Sequence, residues 1–384
     1  MSGRRSTWLV IAAFAGTTLL FIPGLSRAFF TPKLWVFAAA AALGACALPR
    51  LRATGALPRA AGALLPLWLA ASWALGPAST APAAVLDLSG AVSLWLWPLL
   101  RVDRRLLARA VALTGGLLAT VALAQGLGAD PFAAFAPVVH GRLHRYGTLG
   151  NPDFVAGVLA STLLVSCGQA FGARGAARAG FAALCALQLA ALVATRSWGS
   201  VLALAAAALV LAARHRRGLL FLLPAVAAAA LGARGRDLPT AARGRLYLLR
   251  VAAPHLADAP LFGGGPGSTA ALWPLWEAEL WTRRCGDDPA CVQRHPDRVF
   301  AALQDHVHDD LVERALETGL PGAALLGAAL FLLLRRALDA PADAWTAGAL
   351  TALLARALID FPLARPEGLC LLSTLAALTS EDSR

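Results

Sequence analysis

The chain has 384 residues, of which 58% are hydrophobic and only 15% charged, with a mean hydropathy of +0.64. A soluble chain of this length would carry about a quarter charged residues and divide into two or three domains; here the apolar residues come in long uncharged runs, which excludes that class and points to a polytopic membrane protein. The net charge of +12 and pI near 10.9 would suggest nucleic acid in a soluble protein, but the basic residues sit mostly in short connections between apolar runs, so they read as membrane orientation and no nucleic-acid partner is expected.

A spanning helix needs about 20 mostly apolar residues. The first five candidate runs lie near 7–23, 34–48, 60–76, 84–100 and 105–126. The first follows Arg4 and Arg5 without an evident cleavage site, so it reads as a retained signal anchor. Residues 127–153 form a longer connection that ends in Arg142-Leu-His144-Arg145-Tyr146-Gly147-Thr148-Leu149-Gly150-Asn151-Pro152-Asp153. The last four residues are a turn and helix-start signal, with Asp153 expected to cap the following helix. Arg142, His144, Arg145 and Tyr146 either grip an anionic headgroup or simply line the entrance of a capped helix.

Runs near 154–171, 178–195, 199–213 and 218–233 follow, with Thr195-Arg196-Ser197-Trp198-Gly199 in the turn between the second and third of them. Arg196 there either meets a ligand or snorkels from a helix end. Residues 234–309 are too long and polar for a turn. Their Leu246, Leu248, Leu249, Trp273, Trp276 and Trp281 predict short helices against the membrane face. This loop carries Arg243, Arg245 and Arg250, then Pro260-Leu261-Phe262-Gly263-Gly264-Gly265-Pro266-Gly267. The glycines lack the Lys-Ser/Thr of a P-loop and follow no strand, which argues against a nucleotide site. The planar arginine fork suits diphosphate oxygens; the plainer alternative is a glycine turn closing an amphipathic helix. Cys285 and Cys291 flank Gly-Asp-Asp-Pro-Ala and are expected to pair if the loop faces an oxidising compartment. Cys46, Cys167, Cys185 and Cys370 lie in apolar runs and read as small buried hydrophobes.

The last three candidate spans lie near 310–334, 343–361 and 367–380. Ahead of them stands His306-Val-His308-Asp309-Asp310-Leu-Val-Glu313-Arg314-Ala-Leu-Glu317-Thr-Gly319-Leu-Pro-Gly322. Asp309 or Asp310 starts the helix, and either carboxylate is placed to orient His308. Glu313 and Glu317 share one helix face, with Arg314 available as a partner. The His-x-His-Asp-Asp spacing also resembles metal ligation, but no further His or Asp constellation closes a site. No metal is expected, and His306 would matter only if one bound. The charges inside spans (Asp87, Arg109, Arg356) form no relay pattern of the kind a flippase or other transporter would need.

Orientation follows from the basic residues. With the N-terminus inside, the inner connections hold Arg4, Arg5, Arg50, Arg52, Arg59, Arg101, Arg104, Arg105, Arg174, Arg178, Arg214, Arg216, Arg217, Arg335, Arg336 and Arg384, against Arg27, Lys33, Arg142, Arg145, Arg196 and Arg365 outside. The reading is a single transmembrane domain over 1–384 with twelve spans, both termini cytoplasmic, and the 127–153 and 234–309 segments outside.

Together these features resemble the O-antigen ligase and O-antigen polymerase superfamily of bacterial envelope glycosyltransferases. Gly147 to Asp153 is similar to that family's Gly-Thr-x-Gly-Asn-Pro-Asn, and Arg245 with Pro260 to Gly267 to its Arg…Pro-Leu-x-Gly-x-Gly-x-Gly. His308 to Gly322 resembles its His-Asn-x-x-Leu…Glu-x-Gly-x-x-Gly, and Asp360-Phe361-Pro362-Leu363 its motif at the outer end of the eleventh span. The chain departs from the pattern at Asp309, where the family has Asn, and at Arg196, displaced by two positions.

The resemblance implies an all-α, glycosyltransferase C-like polytopic fold in the bacterial inner membrane. It implies transfer of a glycan from an undecaprenyl-diphosphate-linked donor to an acceptor hydroxyl at the periplasmic face, without metal, nucleotide sugar or other cofactor. The acceptor is lipid A-core for a ligase of lipopolysaccharide biosynthesis and a lipid-linked glycan for a polymerase, with membrane lipids as surroundings. The roles expected are His308 as general base, Arg245 as leading diphosphate ligand, and Arg142, Arg145 and Arg196 as weaker ligands. Asp309, Asp310, Glu317 and Asn151 are expected to support them.

Overall fold

The computed structural model describes residues 3–23, 25, 27–46, 56–134, 144–214, 216–234, 238–301, 305–339 and 344–379, with backbone alone at 56–61 and 216–221. The chain runs through α1 (Gly3–Leu19), α2 (Thr31–Ala45), α3 (Ala56–Leu75), α4 (Ala81–Leu96), α5 (Arg104–Gly126), α6 (Pro152–Gly172), α7 (Gly175–Thr195), α8 (Trp198–Arg214) and α9 (Arg216–Gly232). Then follow α10 (Leu238–Ala252), α11 (Ser268–Cys285), α12 (Pro289–Arg294), α13 (Asp310–Asp339), α14 (Ala344–Ala357) and α15 (Pro366–Leu378). Among the described residues there is no strand. The stretches 81–99, 104–126, 152–172, 175–195 and 310–339 are long and apolar enough to cross a membrane, and shorter apolar helices accompany them. These features fit an all-α membrane protein.

Local chemistry accounts for the helix boundaries. Proline occupies the first turn of α2, α4, α6 and α15, where its missing N–H costs nothing. Side-chain caps open α5, α6 and α12: Asp103 Oδ1 accepts from Leu106 N at 3.0 Å, Asn151 Oδ1 from Asp153 N at 2.8 Å, and Asp288 Oδ1 from Ala290 N at 2.8 Å.

In the bundle α6 is central, packed against α5, α7, α8 and α14. Its apolar window is 72% buried, against 22% for that of α7, so α6 is a core helix and α7 shows most of its surface outward. Leu67, Leu113, Leu117, Leu202, Leu209 and Phe331 stay exposed on the flanks of their helices, the pattern expected where lipid is the solvent. The segment 238–301 folds as α10 to α12 around Tyr247, Leu248, Val251, Trp273, Trp276, Leu280 and Trp281, and docks through Leu316 and Val307 onto the head of α13. Cys285 and Cys291 are joined in a disulfide there, with Cα atoms 5.6 Å apart.

The helix α13 is broken at Gly319, whose φ of 76° and ψ of 170° are not helical. A break strands carbonyls that would otherwise bond within the helix, and the glycine-rich segment takes them. Gly264 N donates to Leu316 O at 2.9 Å and Gly265 N to Glu317 O at 2.8 Å, while Trp68 Nε1 donates to Thr318 O at 2.9 Å. On its other side the segment meets the α3–α4 turn: Ala78 N donates to Gly264 O and Thr80 N to Pro266 O. A side chain at Gly319 would run into Leu261 O, and one at Gly263 into the Glu317 backbone, so glycine is required at both. The Gly264 and Gly265 amides are thus spent on the break in α13.

Candidate active site at the head of the broken helix

The segment 305–309 enters α13 from the docked 238–301 unit. Asp309 starts the helix, its Oδ1 accepting from Leu311 N and Val312 N at 3.0 Å each. Just before it His308 stands at φ 63°, a left-handed conformation rare for a side chain of this kind; strain of this sort collects at functional sites. His308 Nδ1 lies 3.2 Å from Asp360 Oδ1, with the ring edge-on to Phe361 at 4.7 Å. The pair sits at ion-pairing distance but off the line of a hydrogen bond, so a small ring rotation completes it.

Asp360 is buried, and its Oδ2 bonds the equally buried Arg356. Arg356 also donates to Ser197 Oγ at 3.2 Å and to Asp153 O at 3.0 Å, so one guanidinium ties α14 to the starts of α6 and α8. Arg245 donates from Nε to Ile359 O at 2.5 Å, which sets its charge beside Asp360. His308, Asp360, Arg356 and Arg245 thus come together from three distant parts of the chain.

A second carboxylate organises the approach. Glu313 Oε1 lies 2.6 Å from His306 Nδ1, and Oε2 accepts from Val307 N at 2.9 Å. Burial disfavours a charged His306, but the Glu313 carboxylate outweighs it and the ring's pKa rises above its ordinary value. Arg365 completes this end of the molecule. It pairs with Glu367 at 3.0 Å, donates to Leu149 O at 3.3 Å, and lies over the Phe154 ring at 4.5 Å.

The Gly147-Thr148-Leu149-Gly150 turn is clamped on all sides. Lys33 Nζ, fully buried, donates to Thr148 O at 2.7 Å; Thr148 Oγ1 donates to Thr18 O at 2.6 Å; Gln125 Oε1 accepts from Gly147 N at 2.7 Å. Tyr146 and His144 do not reach outward to a headgroup. The Tyr146 hydroxyl donates to Asp130 Oδ2 at 2.6 Å, and His144 Nε2 lies 3.5 Å from the same atom. Burial and the Asp130 carboxylate both push the Tyr146 phenol up; burial would likewise raise Asp130, but its hydrogen bonds from Tyr146, Phe132 and Gln125 bring it below the usual range.

Several expected roles shift. Neither carboxylate next to His308 orients it: Asp309 is the helix cap, and buried Asp310 accepts from Leu363 N at 2.9 Å, holding the turn after Asp360 in place. The orienting acid is Asp360, because the ring leaves the helix cap in a left-handed turn that aims it at the loop after α14. Arg314 pairs with Asp87 and not with its neighbouring glutamates. Glu317 is a supporting residue whose Oε1 accepts from Thr269 N at 3.4 Å, placing a carboxylate at the positive end of α11. Asn151 caps α6.

Arg196 occupies the left-handed C-cap of α7, at φ 55°, and donates to Gly232 O at 3.2 Å and Arg234 O at 2.6 Å beyond α9. Its neighbour Ser197, and not Arg196 itself, reaches the Arg356 guanidinium. Arg145 lies against Gly126 at the end of α5. Arg142 lies outside the described residues.

The His-x-His-Asp-Asp run does not converge, since its four side chains go to four different partners. Among the described residues no group of three or more His, Cys, Asp or Glu is placed to hold a metal ion. Arg356, Asp360 and Arg365 are the site residues that pattern reading left without roles. Their sequence signals were the Asp360-Phe361-Pro362-Leu363 motif and an arginine and an aspartate four apart where an apolar run ends.

A buried carboxylate against a half-exposed imidazole, ringed by three arginines, is a site that can take a proton from a hydroxyl and neutralise an anion next to it. No protein-family model matches the chain, and no curated protein matches it.

Proposed function

We propose that the protein transfers a glycan from an undecaprenyl-diphosphate carrier to an acceptor hydroxyl at the outer face of a bacterial inner membrane, as an O-antigen ligase with lipid A-core as acceptor. The observation that carries this reading is the meeting of His308 and Asp360 with Arg245 and Arg356 at the head of the broken helix. A lipid diphosphate is already a good leaving group. What remains is to accept the hydroxyl proton, the role of His308, and to offset the charge left on the diphosphate, the role of Arg245 with Arg356 and Arg365 behind it. In this reading the helices form twelve spans with cytoplasmic termini, and the 234–309 segment is periplasmic.

The test is transfer in vesicles containing the purified protein, undecaprenyl-diphosphate-linked glycan and lipid A-core. His308→Ala should abolish product, a loss of about a hundredfold to ten-thousandfold, and Arg245→Ala should follow it. A His308→Ala protein that transfers at the wild-type rate removes the base assignment. In a deletion strain, lipid-linked polymer should accumulate while lipid A-core stays bare; single capped repeats would instead make the protein a polymerase of the same superfamily. A reporter fused after Ser268 that works only in the cytoplasm would refute the orientation, and the site with it.

A further inference from the structure

Two imidazoles, not one, stand at this site. His306 stacks on the face of Phe361 at 4.1 Å, and His308 meets the same ring edge-on at 4.7 Å, so one phenyl group holds both at a fixed spacing. Each has its own carboxylate, Glu313 for His306 at 2.6 Å and Asp360 for His308 at 3.2 Å. The two carboxylates differ in what else they serve. Asp360 shares its charge with Arg356, whereas Glu313 serves the His306 ring and the Val307 amide.

Glu313 is 5% exposed and the His306 side chain 26%, so a buried acid holds a ring that is partly open. Its Nδ1 is committed to Glu313, which leaves Nε2 for a ligand. The charged groups facing His306 are Glu313 and Glu317 from α13, Asp87 from α4 and Arg365 from the segment before α15. Asp87 is itself paired with Arg314, so the Glu313 carboxylate in direct contact with the ring is what favours an imidazolium.

We propose that His306 is a second catalytic side chain, an imidazolium held by Glu313 that gives its Nε2 proton to the departing diphosphate while His308 takes the acceptor's proton. The inference rests on the glycan transfer proposed above. The acceptor oxygen bonds to the anomeric carbon, and its proton passes to His308. The anomeric carbon–oxygen bond breaks with its electron pair on the diphosphate oxygen, which receives the His306 proton. Exchange with water then returns a proton to His306 and takes one from His308, so no oxidant, metal or further reactant enters. Because the charge on that oxygen grows only as the bond breaks, His306 should act on kcat more than on KM.

The experiment is the pH–rate profile of transfer in vesicles containing undecaprenyl-diphosphate-linked glycan and lipid A-core. The wild-type rate should fall on the alkaline side as His306 loses its proton. His306→Gln should lower kcat by about a hundredfold or more, leave acceptor KM within about twofold, and abolish the alkaline fall. Glu313→Gln, which keeps shape and removes charge, should move that fall to lower pH, and free imidazole should restore part of the rate to His306→Ala. No transfer by the wild type, or transfer independent of His308, would sink the underlying function. If transfer depends on His308 but His306→Gln keeps a rate within about threefold and the same alkaline fall, this proposal is overturned. It is overturned equally if His306 variants are inactive, imidazole rescues nothing, and Glu313→Gln leaves the profile unmoved.

Discussion

Asp360→Asn separates the two jobs that one buried carboxylate performs. Asparagine keeps the shape and loses the charge, so Arg356 is left without its counter-ion at a position where both side chains are about 5% exposed or less. Removing one partner of a buried pair costs about 3–5 kcal/mol. The Ser197 and Asp153 oxygens still accept from Arg356, which places the loss at the low end, about 3 kcal/mol. The effect on rate should be larger. His308 Nδ1 would face an amide at 3.2 Å, one that neither fixes the ring's tautomer nor stabilises the imidazolium formed in the transition state. A loss of about a thousandfold, or about 4 kcal/mol of barrier, is expected. Initial rates in vesicles, normalised to the folded fraction from a thermal melt in detergent, give both numbers. An Asp360→Asn protein that is fully folded and transfers within about threefold of wild type would show that His308 does not depend on Asp360, and the site as assembled here would be wrong.

Other perturbations reach the supports of the site. Glu313→Gln should destabilise the protein at acidic to neutral pH. A histidine whose folded pKa is raised contributes stability that is complete below its ordinary value of about 6.5 and is lost as pH rises through the folded value, so the melting-temperature gap to wild type should close at alkaline pH; a gap constant with pH refutes the pairing. Gly319→Ala should lower stability sharply, because the new methyl meets Leu261 O and the residue must hold φ 76°; near-wild-type expression and melting would contradict the close packing of the glycine-rich segment against the break. Asp87→Leu alone should cost about 3–5 kcal/mol by leaving Arg314 buried and unpaired, and adding Arg314→Met should recover most of it; additive losses would mean the two are not coupled. Mass spectrometry of unreduced protein should find Cys285 and Cys291 linked, and alkylation of both without reductant would count against the bond.

Much of the fold was legible because it rests on local chemistry. Apolar runs separated by Pro, Gly and Arg mark helices whatever they pack against, and the helices α1 to α9 and α13 to α15 coincide with those runs to within a few residues. Asn151-Pro152-Asp153 and Asp309 announce helix starts because a cap is made within four residues. His308 was singled out by its motif, but its partner was not. A sequence pattern ranks neighbours by spacing, so Asp309 and Asp310 stood closest, while the acid that meets the ring is Asp360 in the loop after α14. The same limit hid the pairings Arg314–Asp87 and His306–Glu313, the clamp of Lys33 on Thr148, and the turn of Arg196 toward α9. It also hid that the glycine-rich segment bridges the break at Gly319, whose freed carbonyls accept from its amides. Hydropathy and capping act over a few residues and are written along the chain. Which buried charge finds which partner is decided by helix packing, because a charge removed from water must take whatever counter-charge the neighbouring helices bring within reach.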